Sequence, residues 1–331
     1  MKNICIIGNS FSSVKAAQSL REKLSESQIH LFPMEQHLPY DRTRLWQLIN
    51  QDCSFKELSY QEAAFYEELK VQVYTEQKIQ KINTHRQYVT TEDKQKFLYD
   101  FLLIADTGAV QWPEVKGVQK SGVFHLRTAA DASSLLKHLS LSETVCLQSN
   151  SLLGFKIAVA LRNKGKDVVW LTGSMGLREE YYPNAERENL KRDLEEKGIR
   201  LLEGECIAEI LGDFDVKAVR LQSGKVLAAQ AILFPDAGPQ LRIFKETDIV
   251  VENGVQLNAF YQTSVAQVYG FDRLTVEAAL AEGTGHFSEV LEKQVQVICQ
   301  HILGKTQPTE PESVSSASSA LDDSSKVTHL V

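Results

Sequence analysis

The chain has 331 residues, 43% of them hydrophobic and 24% charged, with a formal charge of -7 at pH 7. That acidic balance, with a pI near 5.7, argues against a nucleic-acid partner, whose phosphates need clustered Lys and Arg. No apolar run approaches the roughly 20 residues of a membrane span, and no charged-then-apolar leader precedes the first strand, so a cytoplasmic protein without membrane contact is expected.

Residues 3–7 read as a short apolar strand. From Ser12 the apolar positions Val14, Ala17, Leu20 and Leu24 recur at helical spacing, giving a helix to about Lys23. Residues 28–32 are a second strand, 58–69 a helix and 71–74 a strand. Strands over 88–91 and 97–99 flank the polar Glu92-Asp93-Lys94 turn as a hairpin, and 101–105 is an apolar, buried strand. The order then returns: strand 144–147, helix 153–163, a turn at Gly165, strand 167–171, helix 186–197 stopped by Gly198, and strand 199–202. A second hairpin spans 216–221 and 226–228 around Ser223-Gly224, followed by a buried strand at 231–234. Residues 280–303 read as a last helix. From Thr306 to 331 the composition turns to Ser, Glu, Asp and Pro, which predicts a disordered tail.

Two segments repeat along this order. Cys-Ile-Ile-Gly-Asn-Ser-Phe-Ser-Ser at 5–13 returns as Cys-Leu-Gln-Ser-Asn-Ser-Leu-Leu-Gly at 146–154, and Leu102-Leu-Ile-Ala-Asp-Thr-Gly-Ala109 returns as Ile232-Leu-Phe-Pro-Asp-Ala-Gly-Pro239. A chain that twice builds strand, tight loop and helix, and twice closes with strand-Asp-x-Gly, has duplicated a nucleotide-binding half. The fold class is α/β: two Rossmann-like, three-layer, parallel-sheet nucleotide-binding domains, the second inserted in the first, plus the tail. Such loops need small residues, because the turn is tight, the backbone approaches a pyrophosphate and the helix packs close to its strand. The helix N-terminus then offers amides and a positive dipole end to phosphate. In the first copy the three glycine positions hold Gly8, Ser10 and Ser13; in the second, Ser149, Ser151 and Gly154. Glu35, just past the second strand, is placed to accept hydrogen bonds from ribose hydroxyls, with a solvated surface glutamate as the rival reading.

The segment Ile29-His-Leu-Phe-Pro-Met-Glu-Gln-His-Leu-Pro-Tyr-Asp-Arg42 resembles the one after the second strand in FAD-dependent pyridine-nucleotide oxidoreductases, above all the rubredoxin- and ferredoxin-reductase-like branch. Leu103-Ile-Ala-Asp-Thr-Gly-Ala109, Phe124-His-Leu-Arg-Thr128 and Thr263-Ser-Val-Ala-Gln-Val-Tyr-Gly-Phe-Asp272 extend the resemblance over most of residues 3–305. It implies an FAD-binding domain over 1–114 and 246–305 and an NAD(P)-binding-like domain over 115–245. It also implies that Gly8, Ser10, Phe11 and Ser12 face the FAD pyrophosphate, that Glu35 binds the adenosine ribose, and that Arg42 contacts flavin or pyrophosphate. Ile79 matches a position whose backbone meets adenine, Thr107 and Gly108 the second flavin loop, Arg127 a phosphate- or flavin-contacting arginine, and Asp272 the acid near the ribityl chain. The bland rivals are surface ion pairs of Arg42 with Asp41 and Arg127 with Asp131, and a helix N-cap for Asp272. The implied activity is hydride transfer from NADH or NADPH to flavin N5, with electrons leaving to an acceptor such as a redox protein.

The sequence also departs from the family. An extra acid, Asp106, enters the second flavin loop and Asp236 its counterpart; Gly270-Phe271 replaces a glycine directly before Asp272; and Gln47 stands where a lysine usually follows the arginine. The second nucleotide site, Ser149, Ser151, Gly154 and Gly238, keeps few glycines. No charged ribose reader lies near Leu171-Thr-Gly-Ser174, with only Arg178 within range, so loss of nicotinamide binding is favoured over its retention. Neither a catalytic constellation nor a metal site is expected, since His85, His125 and His138 are scattered and the five cysteines, Cys5, Cys53, Cys146, Cys206 and Cys299, form no dithiol spacing. The resemblance implies an interface domain after about residue 305, whereas the composition there leads us to expect a Ser-rich tail. A second reading therefore stands beside the enzyme: a degenerate, non-catalytic descendant that binds a nucleotide or a partner.

Overall fold

The computed structural model describes residues 1–106, 110, 112–177, 184–236, 238, 241–252, 254–275, 278 and 286–305, with backbone alone at 184–186. The chain divides into two compact units: residues 1–41, 59–110 and 238–331 form one, and 42–58 with 111–237 form the other. Residues 42–58, which follow the first strands in sequence, thus go with the second unit.

The first unit is built on a parallel sheet in the order Val268–Gly270, Phe101–Ile104, Asn3–Ile7, Gln28–Phe32, Val71–Val73. A parallel sheet is covered on both faces, so its central strands read as unbroken apolar runs. The alternation of side chains along Asn3–Ile7 divides two cores. Ile4 and Ile6 pack with Val14, Ala17 and Leu20 of the first helix (Phe11–Lys23) and with Val295 and Ile298 of the last helix (Phe287–Ile302). Cys5 and Ile7 point the other way, onto Leu102, Ile104, Ile82, Val89 and Phe244. Ala16 and Ala17 let the first and last helices pack closely, and Lys15 Nζ bridges to Glu292 Oε1 at 3.2 Å at their edge. An antiparallel sheet of Ile79–Asn83, Tyr88–Thr91 and Lys96–Leu98 completes the unit.

The helix expected over 58–69 is broken. A 3-10 turn spans Phe55–Leu58 and a short helix Ala63–Glu68, because the backbone between them pairs elsewhere: Tyr40 bridges Ser59, and Tyr60 N donates to Pro39 O at 3.1 Å. The last helix begins at Phe287; residues 280–285 of the span expected from 280, and the tail 306–331, lie outside the described residues.

The second unit repeats the plan with the parallel order Ile199–Leu202, Asp167–Leu171, Thr144–Gln148, Ala231–Leu233, Val123–Phe124, and an antiparallel sheet of Ile207–Leu211, Ala218–Leu221 and Val226–Ala228. This is the doubled α/β, parallel-sheet organisation that the repeats predicted. Helix Ala129–Leu139 was not read from the sequence, although its start is written there: Thr128 Oγ1 accepts from Asp131 N at 3.1 Å, and Asp131 Oδ2 from Thr128 N at 2.9 Å, a capping box. Among the described residues no helix is long and apolar enough to cross a membrane.

Candidate nucleotide-binding loops

In the first unit the loop turns at Gly8, whose N–H donates to Phe32 O at 2.9 Å and whose φ is +150°. A Cβ there would lie 2.7 Å from Ala105 Cβ, so only glycine lets the two strand ends approach. The serines that replaced the other glycines bond to each other and to the chain. Ser13 Oγ donates to Ser10 O at 2.7 Å and accepts from Ser10 N at 3.1 Å, a local clasp over the helix start. Ser10 Oγ and Ser12 Oγ are 2.8 Å apart, and Ser12 Oγ donates to Asp272 Oδ2. Phe11 sends its ring outward against Tyr60, at 5.7 Å in an edge contact, which leaves its backbone at the helix start. The first-turn amides of a helix have no intrahelical acceptors, and here they open beside this serine-carboxylate cluster.

Glu35 sits in the same unit, three residues past the strand Gln28–Phe32. Its two oxygens are held separately: Asn9 Nδ2 donates to Oε1 at 3.1 Å and Tyr40 OH to Oε2 at 2.7 Å. Both oxygens of this partly exposed carboxylate therefore have donors from its own unit. Asn9 itself comes from the loop, and its Oδ1 is buried without a partner among the described residues. Neither Asn9 nor Tyr40 was singled out from the sequence, though both flank residues that were.

Asp272 is 1% exposed and begins a 3-10 turn, Asp272–Leu274, with φ +60°. Arg273 N donates to its Oδ1 at 2.8 Å, while Oδ2 accepts from the Ser12 hydroxyl. The cap position of the turn is Phe271, with no side-chain cap bond, so Asp272 is not the N-cap that the rival reading expects. Ile79 is buried at the start of its strand, and its N–H points to Met34 Sδ at 3.2 Å. Thr107 and Gly108 lie outside the described residues. Arg42 and Arg127 both belong to the second unit and are buried there. Asp131 holds the backbone of Arg127 and Thr128 as a helix cap, at 3.0 and 2.9 Å. Gln47 accepts from Arg44 Nε at 2.9 Å, and the half-buried Cys53 Sγ lies 3.7 Å from the same oxygen.

The second loop is arranged differently. Ser149 Oγ donates to Asp236 Oδ2 at 2.6 Å, Ser151 Oγ to Asp236 Oδ1 at 2.6 Å, and Asn150 N to Oδ2 at 2.9 Å. Gly154 keeps its glycine for a packing reason, because a Cβ would fall 2.2 Å from Ser149 Oγ. Ser149 O accepts from Trp170 Nε1 at 2.7 Å, and Gln148 Oε1 accepts from Ile207 N at 2.8 Å, which explains a polar residue at that strand end. Gly238 is half-buried; Arg178 lies outside the described residues.

A sequence model of the family described as pyridine nucleotide-disulphide oxidoreductase matches residues 2–271. The chain belongs to the pyridine nucleotide-disulphide oxidoreductase family. It falls in the branch of ferredoxin- and rubredoxin-reductase-like members. It is 27% identical over 313 residues to the nitrite reductase [NAD(P)H] of Bacillus subtilis, covering 93% of this chain and 38% of that protein. It is 24% identical over 311 residues to the rubredoxin-NAD(+) reductase of Pseudomonas putida, covering 92% and 81%. The ferredoxin reductase for the CYP199A2 system of Rhodopseudomonas palustris superposes with a TM-score of 0.80 at 18% identity, over 93% of this chain and 78% of that one, a likeness of fold. The chain spans about two fifths of the length of the first curated relatives it matches, 38% and 41%.

Proposed function

We propose that this family member is a flavoprotein whose first unit binds FAD and that it serves electron transfer to an acceptor, as the names of its reductase relatives suggest for them. The observation that carries this reading is Glu35, an acceptor fixed at both oxygens in the position from which the fold reads ribose. The residues around it suit the cofactor. Gly8 leaves the space that a closely approaching backbone requires, the helix start presents amides to a pyrophosphate, and the buried Asn9 Oδ1 has an acceptor to offer. Ser12 and Asp272 would border the diphosphate and ribityl side, and Ile79 the adenine side. Thr107 and Gly108 are the further candidates for the flavin side. Bound FAD would supply the redox chemistry; the chain binds and orients it, and no side chain here needs to act as an acid or base.

A nicotinamide dinucleotide suits the second unit poorly. The donors that would meet its pyrophosphate at Ser149, Asn150 and Ser151 are held by the Asp236 carboxylate, and Ser174 stands where Glu35 stands in the first copy. This favours a second reading alongside the first, a flavin- or nucleotide-binding descendant that has lost turnover with NAD(P)H. The test is the visible spectrum of the purified full chain after incubation with excess FAD and gel filtration. Retained flavin absorbance supports the proposal; a colourless protein sinks it. Anaerobic NADH then separates the readings, since bleaching supports the reductase and a spectrum that stays oxidised supports the binding protein.

A further inference from the structure

We infer that Asp236 is a resident anion that closes the second nucleotide loop, and that this one side chain decides whether the second unit accepts NADH or NADPH. The inference deepens the poor fit noted above but does not depend on FAD binding by the first unit.

Three donors converge on the carboxylate. Ser149 and Ser151 hydroxyls reach its separate oxygens at 2.6 Å each, and Asn150 gives its backbone N–H at 2.9 Å. Hydroxyls and amides at a helix start are the groups that a Rossmann loop offers to phosphate. Here a side chain from the end of strand Ala231–Leu233 already satisfies them. An incoming pyrophosphate would have to break these bonds and settle beside a like charge, so it meets both a lost set of donors and repulsion.

The loop is also held in this arrangement from behind. Ser149 N donates to Leu171 O at 2.9 Å and Ser149 O accepts from the buried Trp170 Nε1 at 2.7 Å, so its backbone is fixed on both sides. The missing Cβ of Gly154 gives the Ser149 side chain its place. The first loop uses its acid otherwise. Asp272 comes from a different strand end, accepts from one serine hydroxyl and accepts from the backbone N–H of its neighbour Arg273.

The test is calorimetric titration of NADH and of NADPH into the full-length wild-type chain and into Asp236→Asn and Asp236→Ala. Asparagine removes the charge but still accepts hydrogen bonds; alanine removes both. The wild type is expected to show no saturable binding below the millimolar range, with affinity at least about tenfold higher in Asp236→Ala and an intermediate gain in Asp236→Asn. Micromolar binding by the wild type overturns the inference, and so does the absence of a gain in a variant whose melting temperature is unchanged. Should a variant not fold, the wild-type titration still decides. Titrating FAD into the same samples separates the two proposals. Failure to bind FAD in all three counts against the flavoprotein reading alone, whereas the change in NADH affinity on replacing Asp236 tests this inference whatever FAD does.

Discussion

Ser12 and Asp272 lie 260 positions apart, yet the serine hydroxyl donates to the aspartate carboxylate in the interior of the first unit. The bond ties the start of the first helix to the turn after strand Val268–Gly270. Gln294 on the last helix supports it: its Oε1 accepts from Asp272 N, its Nε2 donates to Thr275 Oγ1, and Thr275 Oγ1 donates to Asp272 O, each at 2.8 Å. Ser12→Ala would leave a buried carboxylate short of a donor, at a cost of about 1–3 kcal/mol. Urea denaturation is the check, and an unchanged midpoint would show that the hydroxyl is dispensable.

Gly8 and Gly165 make a matched pair for backbone strain. Both have positive φ, +150° and +74°, but a Cβ at Gly8 meets Ala105 Cβ at 2.7 Å, whereas at Gly165 nothing lies within 4 Å. Gly165→Ala should therefore cost about 1 kcal/mol from conformation alone. Gly8→Ala adds a clash between two strand ends and should cost about 2–4 kcal/mol. Equal losses in parallel unfolding curves would contradict the packing argument.

His125 gives the protein an acid sensitivity of definite sign. Burial pushes its pKa below the usual value, opposed by the Phe234 carbonyl at 2.9 Å and by Asp131, while Arg127 adds to the lowering. His30 and His301 are lowered by burial as well. In the window between the lowered folded value and the ordinary value of about 6.5, the unfolded chain binds more protons. Stability therefore falls as pH drops through that window. The melting temperature should decrease between about pH 7.5 and about pH 5.5, and His125→Asn should shrink the decrease. A pH-independent melting temperature in the wild type would refute this.

The thiols should divide by burial. Desolvation pushes Cys5 and Cys146 up to about 12 and Cys299 to about 11, so at neutral pH they stay protonated and unreactive. Cys53 and Cys206 are only partly covered. Brief native alkylation followed by mass spectrometry should label these two and leave the other three until the chain unfolds. Labelling of Cys5 or Cys146 at the same rate would contradict their packing.

Much of the framework was legible because it rests on local rules. The strands Asn3–Ile7, Gln28–Phe32, Asp167–Leu171 and Ile199–Leu202 stand where apolar runs end at glycine, serine or charge. The break within 58–69 was not legible, because it depends on pairing with Tyr40 and Pro39 at a distance in sequence. The sites show the same division. Glu35 and Asp236 were visible as acids at strand ends, but no spacing rule says which donors a carboxylate will hold. Asn9 reaching Glu35, and Ser149 and Ser151 converging on Asp236, are tertiary contacts that only the folded chain reveals.

Titration of FAD into the apoprotein by calorimetry, wild type beside Glu35→Ala, tests the central claim most directly. A saturable isotherm with one FAD per chain is expected for the wild type. Removing a charged acceptor of ribose hydroxyls should weaken binding by about 10- to 100-fold. An absence of heat with the wild type, or equal affinity in the two proteins, would contradict a cofactor held at Glu35.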